Sequence, residues 1–199
     1  MENIRDVFNY RHATTVFDDK KIVPDDIINE ILISGQLSPS SFGLEPWRFV
    51  VVKNKEKQKE MEPMCYNQPQ ISTASHVIIL VGRIDFSEND SYITECIDRC
   101  SENKEKMEKT IRTFFTYTKD VKNWSSHQCY IAGANMMTVG AMSKIDSCPM
   151  AGFIPAKVGE FLNLKESEFP ALIIPFGYRA KEPRDKIRWE LDKIVEFIN

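Results

Sequence analysis

The sequence predicts an α+β fold, a sheet covered by helices on both faces. Three observations lead there. Strand-like segments are few, the interval from 86 to 145 contains no clear strand, and the regular βαβ alternation of a doubly wound fold is missing. At 199 residues, 42% of them hydrophobic, the chain can bury a sizeable core. The expectation is a single domain over 1–199.

The elements follow in order. Residues 2–10 read as a short amphipathic helix with Ile4, Val7 and Phe8 on one face. Pro24-Asp25-Asp26 opens the next helix: proline suits its first turn, and acids suit the positive end of the helix dipole. Ile27, Ile28, Ile31 and Leu32 supply its buried stripe. Residues 48–52 are β-branched and aromatic, which predicts a strand. Residues 53–62 are densely charged and predict a solvated turn and helix. Residues 76–82 are apolar at consecutive positions, the pattern of a strand buried on both faces. Residues 91–119 are polar and helical in type. Residues 131–144 predict a helix buried on most sides, rich in Ala, Gly and Met, with Gly133 and Gly140 spaced to admit another backbone. Pro155 starts a helix over 155–164. Residues 171–177 read as a second buried strand, in which Pro175 favours an edge or a strand end. Ile187, Leu191, Ile194 and Ile198 fit a helical stripe near the C-terminus.

Composition excludes several function classes. A net charge of −3 provides no global field for nucleic acid or an anionic membrane. No segment approaches the roughly 18 uninterrupted apolar residues of a transmembrane helix. The charged start lacks the apolar run of a signal peptide. Five irregularly spaced cysteines predict reduced thiols and a cytoplasmic location. Cys96 and Cys100 are spaced to share a helix face, but with no C-x-x-C and no nearby histidine they do not make a zinc motif, and no metal is expected. The G-x-G-x-x-G, Walker, H-E-x-x-H and G-x-S-x-G signatures are all missing. Cys148 reads as a buried structural thiol and His76 as a structural histidine opening a strand.

Four segments stand out instead. Arg11-His12-Ala13-Thr14-Thr15 follows the first helix, where Arg and His suit the negative dipole end. Residues 38–47, Ser-Pro-Ser-Ser-Phe-Gly-Leu-Glu-Pro-Trp, form a structured loop between a helix and a strand. Residues 146–153, Asp-Ser-Cys-Pro-Met-Ala-Gly-Phe, set proline and glycine around small residues and can expose backbone amides to a ligand. In Lys186-Ile187-Arg188 two bases alternate, so an extended chain points both to one side.

Together with A-S-H-V-I-I-L-V, Q-C-Y-I-A-G-A-N-M-M and F-G-Y-R, these segments occur in the order found in the nitroreductase family of FMN-dependent oxidoreductases, which the chain resembles over nearly its whole length. The resemblance implies a mainly antiparallel central sheet flanked by helices, in an intertwined homodimer with FMN at the subunit interface. The buried 131–144 helix would form the dimer core, and the segment around Arg188 would be an extended arm crossing to the partner. It implies that Arg11, Lys186 and Arg188 hold the FMN phosphate. Such charge-assisted partners contribute roughly 1.5–3 kcal/mol each. They also explain how an acidic protein binds an anion. His12 and Ala13 would serve the same end of the cofactor. Pro39, Ser40 and Ser41 would come from the partner subunit. Asn67 would face the flavin ring, and Thr15 and Gln70 its pyrimidine edge. Pro149, Met150, Ala151 and Gly152 would lie against the isoalloxazine, with backbone amides toward N5 and O4. Phe42, Phe114, Phe115 and Trp124 are candidate walls of a substrate pocket, and equally candidates for plain core.

The implied activity passes electrons from NAD(P)H to flat conjugated acceptors, nitroaromatics or quinones, in two half-reactions. The flavin carries the chemistry and no catalytic side chain is assigned. A flavin-binding or storage module, or a flavin-fragmenting or dehalogenating relative, is the alternative. Two departures bear on function. Many relatives carry bases where Thr15 and Gln70 stand, which would leave this flavin at a lower potential, and many carry an acid where Ala151 stands.

Overall fold

The computed structural model describes residues 3–86, 91–100 and 102–198, with nothing stated of the Cys100 side chain. The helices are α1 (Ile4–Tyr10), α2 (Asp25–Gln36), α3 (Lys55–Met61), α4 (Gln70–Thr73), α5 (Ser91–Cys100), α6 (Lys104–Tyr117), α7 (Val121–Met142) and α8 (Pro155–Phe161). The strands are β1 (Trp47–Val52), β2 (His76–Arg83), β3 (Asp146–Ser147) and β4 (Glu168–Gly177). They form one sheet in the order β1-β2-β4-β3, every neighbouring pair antiparallel.

Successive side chains of a strand point to opposite faces, and β2 and β4 bury both. Val77, Ile79, Val81 and Ile173 enter one core with Met61 of α3, Ile71 of α4 and Val158 of α8. Ile78, Leu80, Leu172, Ile174 and Phe176 enter the other with Ile28 and Ile31 of α2 and Ala132 and Met136 of α7. Two helical layers on one antiparallel sheet therefore account for the unbroken apolar runs. The α5–α6 hairpin closes a third, smaller core around Leu44, Ile93, Ile97 and Ile111.

The structure corrects several expectations. In α1 only Val7 is buried, while Ile4 and Phe8 face solvent. The helix predicted over 131–144 begins at Val121, and within the single chain it is buried on one side, with Tyr130, Ile131 and Met142 exposed. Its glycines admit side chains rather than a backbone. A Cβ on Gly133 would stand 2.7 Å from Leu172 Cδ2, and one on Gly140 would stand 3.1 Å from a Phe176 ring carbon.

Pro175 lies in the interior strand β4, not at an edge. Its carbonyl accepts from the Cys148 N–H at 3.2 Å, so its own nitrogen faces the same side, where β3 has ended at Ser147. The missing N–H thus falls where the ladder stops. The C-terminal stripe is not an α-helix. Residues 180–198 run without regular structure apart from a single 3-10 turn, Leu191–Lys193, with Ile187, Trp189, Leu191, Phe197 and Ile198 exposed.

Candidate active site

The segment after α1 and the segment after β4 meet across one cavity of about 470 Å³, lined by residues 11–16 and 181–188. Arg11, Lys186 and Arg188 thus share a wall despite their distance in sequence. Lys186 Nζ donates to the carbonyls of Phe8 and, at 2.6 Å, Arg11, clasping the C-terminal segment to the end of α1. An ammonium has three protons, so one remains for a ligand. Burial, then the neighbouring charges of Arg11 and Arg188, lowers the Lys186 pKa. Cations that oppose one another in this way are relieved by an anion placed between them.

His12 lines the same cavity. Its Nδ1 donates to the Tyr10 carbonyl at 2.9 Å, which assigns the proton of the neutral ring to Nδ1. Nε2 is buried with no partner among the described residues. A buried polar atom left unpaired costs about 1–3 kcal/mol, so Nε2 fits a site completed by a ligand: an acceptor toward a hydroxyl, a donor toward an anion once protonated. Thr15 is exposed at the cavity's rim.

A second group adjoins the first through β3. Ala13 bridges Ser147, and Thr14 N–H donates to the Ser147 carbonyl at 3.2 Å, so residues 11–14 continue into 148–152. There Tyr66 and Asn67 both adopt positive φ, 56° and 55°, an uncommon pair that sets a tight turn beside Gly152. Gln68 Nε2 donates to the carbonyls of Cys65 and Gly152 at 2.9 and 3.0 Å, and its Oε1 accepts from Gln70 Nε2 at 3.0 Å. Asn67, Gln70 and residues 149–152 are therefore brought together. The Met150 N–H donates to Ile173 at 2.8 Å, a bridge to β4, and is not available to a ligand. That role is left to the amides of Ala151 and Gly152, both exposed. Burial raises the Cys148 pKa, opposed only by Arg11, which suits a structural thiol rather than a nucleophile.

The third group stands apart. Pro39, Ser40 and Ser41 lead into a turn in which Phe42, Gly43 and Glu45 have positive φ. Ser41 N–H donates to Gln128 Oε1 at 3.0 Å, and Ser38 Oγ accepts from Asn135 at 2.8 Å, so α7 carries this loop. Phe42 meets Phe114 edge-on at 5.2 Å, and Phe115 meets Trp124 at 5.0 Å and stacks on Phe86 at 4.6 Å. The four candidate aromatics form one cluster with Phe86, packed mainly on one another.

Sequence reasoning missed what fixes the first group. Asp146 is buried, and Arg179 grips it through Nε at 2.8 Å and Nη2 at 2.6 Å. Tyr10 OH and Thr14 Oγ1 donate to the same carboxylate at 3.2 and 3.4 Å. Burial first, then the Asp146 charge, pushes the Tyr10 phenol up to about 12. The available signal was an isolated aspartate in a segment of small residues, which needs a cation when buried.

An antiparallel sheet between two helical layers, with Arg11, Lys186 and Arg188 lining one cavity, places the chain among the α+β proteins. The family model of the nitroreductase family matches residues 9–178, and the chain belongs to that family, a family of oxidoreductases. A Staphylococcus haemolyticus protein provisionally named an NAD(P)H nitroreductase is 38% identical, over 99% of this chain and 98% of its own length. The crystal structure of a nitroreductase-like protein from Streptococcus mutans superposes with a TM-score of 0.86 at 25% identity, covering 98% of each chain. A protein from Exiguobacterium sibiricum solved in complex with FMN has the same fold, with a TM-score of 0.84 at 17% identity over 100% of this chain and 98% of the other.

Proposed function

We propose that this chain is an FMN-dependent oxidoreductase that passes electrons from NAD(P)H to flat conjugated acceptors, such as nitroaromatics or quinones. The observation that carries the reading is the cavity where Arg11, Lys186 and Arg188 converge around the unpartnered Nε2 of His12. When bound, FMN supplies two-electron transfer in two half-reactions, one with the nicotinamide and one with the acceptor.

The chain's own residues do the rest. Arg11, Lys186 and Arg188 hold the phosphate, and His12 and Ala13 shape the same end. Asn67 and Gln70 border the ring, and Pro149 and Met150 support the amides of Ala151 and Gly152 that meet it. Phe42, Phe114, Phe115 and Trp124 wall the acceptor's side. The functional unit is a homodimer, in which Pro39, Ser40 and Ser41 complete the partner's site. Two features support this: the exposed apolar side of α7, at Tyr130, Ile131 and Met142, and the unpacked C-terminal arm. Large apolar side chains left exposed on a helix and on an arm favour association with a second surface.

The test is the absorbance of the purified protein under anaerobic conditions. The expected result is a bound-flavin spectrum that NADH or NADPH bleaches and a nitroaromatic or quinone restores. A flavin spectrum indifferent to both nucleotides favours a binding or storage module. A colourless protein that gains no spectrum with added FMN ends the reading.

A further inference from the structure

We propose that the buried Asp146–Arg179 pair is a positioning device for the phosphate-binding segment, acting through Tyr10 and Thr14, which flank Arg11, His12 and Ala13. The inference rests on the reading of Arg11 as a phosphate partner.

The geometry makes both ends of a short segment converge on one carboxylate. On the N-terminal side, Tyr10 OH shares its one proton between the Lys144 carbonyl at 2.6 Å and Asp146 Oδ2 at 3.2 Å. On the other side, Thr14 Oγ1 donates to Asp146 Oδ1 at 3.4 Å. Arg179 holds the carboxylate with a fork, Nε on Oδ1 at 2.8 Å and its backbone N–H on Oδ2 at 3.0 Å. Its Nη2 also reaches the Tyr10 carbonyl at 3.1 Å, the acceptor that takes the Nδ1 proton of His12. The guanidinium lies over the Tyr10 ring, 4.4 Å from its centroid. One carbonyl therefore couples the ion pair to the orientation of His12, and so to its orphaned Nε2. Arg179 sits just past β4 and Asp146 in β3, so the pair transmits the rigidity of the sheet to a segment that has no regular structure of its own.

Charge and positioning make opposite forecasts, which makes the inference testable. If the carboxylate mattered only as a charge, removing it beside a cationic cavity would tighten phosphate binding. If it positions the segment, removing it loosens Arg11 and His12 and weakens phosphate binding, because breaking one half of a buried pair is strongly disruptive.

The experiment titrates flavin-stripped full-length protein with FMN and with riboflavin, which lacks the phosphate, following flavin fluorescence. Asp146→Asn is expected to raise the Kd for FMN by about tenfold or more and to leave that for riboflavin within about twofold. Tyr10→Phe is expected to shift the same ratio by about threefold, consistent with one lost hydrogen bond. FMN binding by Asp146→Asn as tight as wild type or tighter overturns the inference, as does an equal loss of both flavins. Should Asp146→Asn fail to fold, an unchanged ratio in both Tyr10→Phe and Thr14→Val overturns it. Arg11→Ala separates the two layers of the argument. If it leaves the ratio unchanged, the phosphate-site reading has failed. If it collapses the ratio while the Asp146, Tyr10 and Thr14 variants do not, only the positioning role has failed.

Discussion

β4 and the C-terminal arm are close in the chain and both carry large apolar side chains, nearly free of charges in β4 and interleaved with charges in the arm, and those side chains meet opposite fates. From Phe169 to Gly177 every residue of β4 is buried. Beyond it, Ile187 is 86% exposed and Ile198 93%. The difference is one of available surface. β4 lies between β2 and β3 and under two helical layers, whereas the arm has no such layer among the described residues. Apolar side chains are not buried by composition alone; they need a partner surface, and for the arm the proposed partner is a second subunit.

The largest test of this contrast removes the arm. A chain ending at Pro183 loses Lys186 and Arg188 and should bind FMN about a hundredfold or more weakly, two charge-assisted partners being gone. It should also sediment as a monomer with the sheet intact. Tight FMN binding by a monomeric truncation would contradict both roles of the arm.

A matched pair of truncations comes next. Ile79→Ala, in the fully buried centre of β2, should cost about 2–5 kcal/mol in denaturant unfolding. Ile187→Ala should change the stability of the isolated chain by about 0.5 kcal/mol or less, and should show its effect as dimer dissociation on dilution. Equal costs at the two positions would mean that the arm packs on its own chain.

The cavity's charge pattern gives a smaller effect. Thr15→Lys adds a cation at an exposed rim position. It should favour the reduced flavin by about 1 kcal/mol or less, roughly 20 mV for a two-electron couple. An unchanged potential in a redox titration would detach Thr15 from the flavin.

The smallest effect belongs to the sheet. Burial holds the His76 pKa below its ordinary value, outweighing the nearby Asp25 carboxylate. The folded state thus binds fewer protons than the unfolded state just below pH 6.5. Stability should therefore fall as pH drops through that window and be retained above it. Thermal unfolding of His76→Gln should lose this dependence, and a wild type insensitive across the window would contradict it.

Local pattern carried far where neighbours in sequence are neighbours in space. The apolar run at 76–82 needed no knowledge of its partners to be a strand, and Pro155 did start a helix. The turn of Tyr66 and Asn67 near Gly152, and Lys186 beside Arg11, became legible only by resemblance to a family, since no spacing rule joins them. Pro175 lies near the end of its strand, one of the two places expected, but in an interior strand rather than at an edge, because its cost depends on which side its nitrogen faces, a property of pairing rather than of the residue. The helix carrying Ile4, Val7 and Phe8 was legible, but not that only Val7 of that face is covered, because periodicity locates an apolar face without stating what packs on it.

The sequence by itself determined the two central strands, most helices and the identity of the cationic and small-residue segments, because these depend on backbone propensity, alternation and side-chain chemistry over short distances. Only the tertiary structure decided that Asp146 is gripped by Arg179, that the Met150 amide is already used by β4, and that the arm after Arg179 lies largely exposed. Each of those is a pairing between groups far apart in the chain, set by which surfaces the packed sheet leaves within reach.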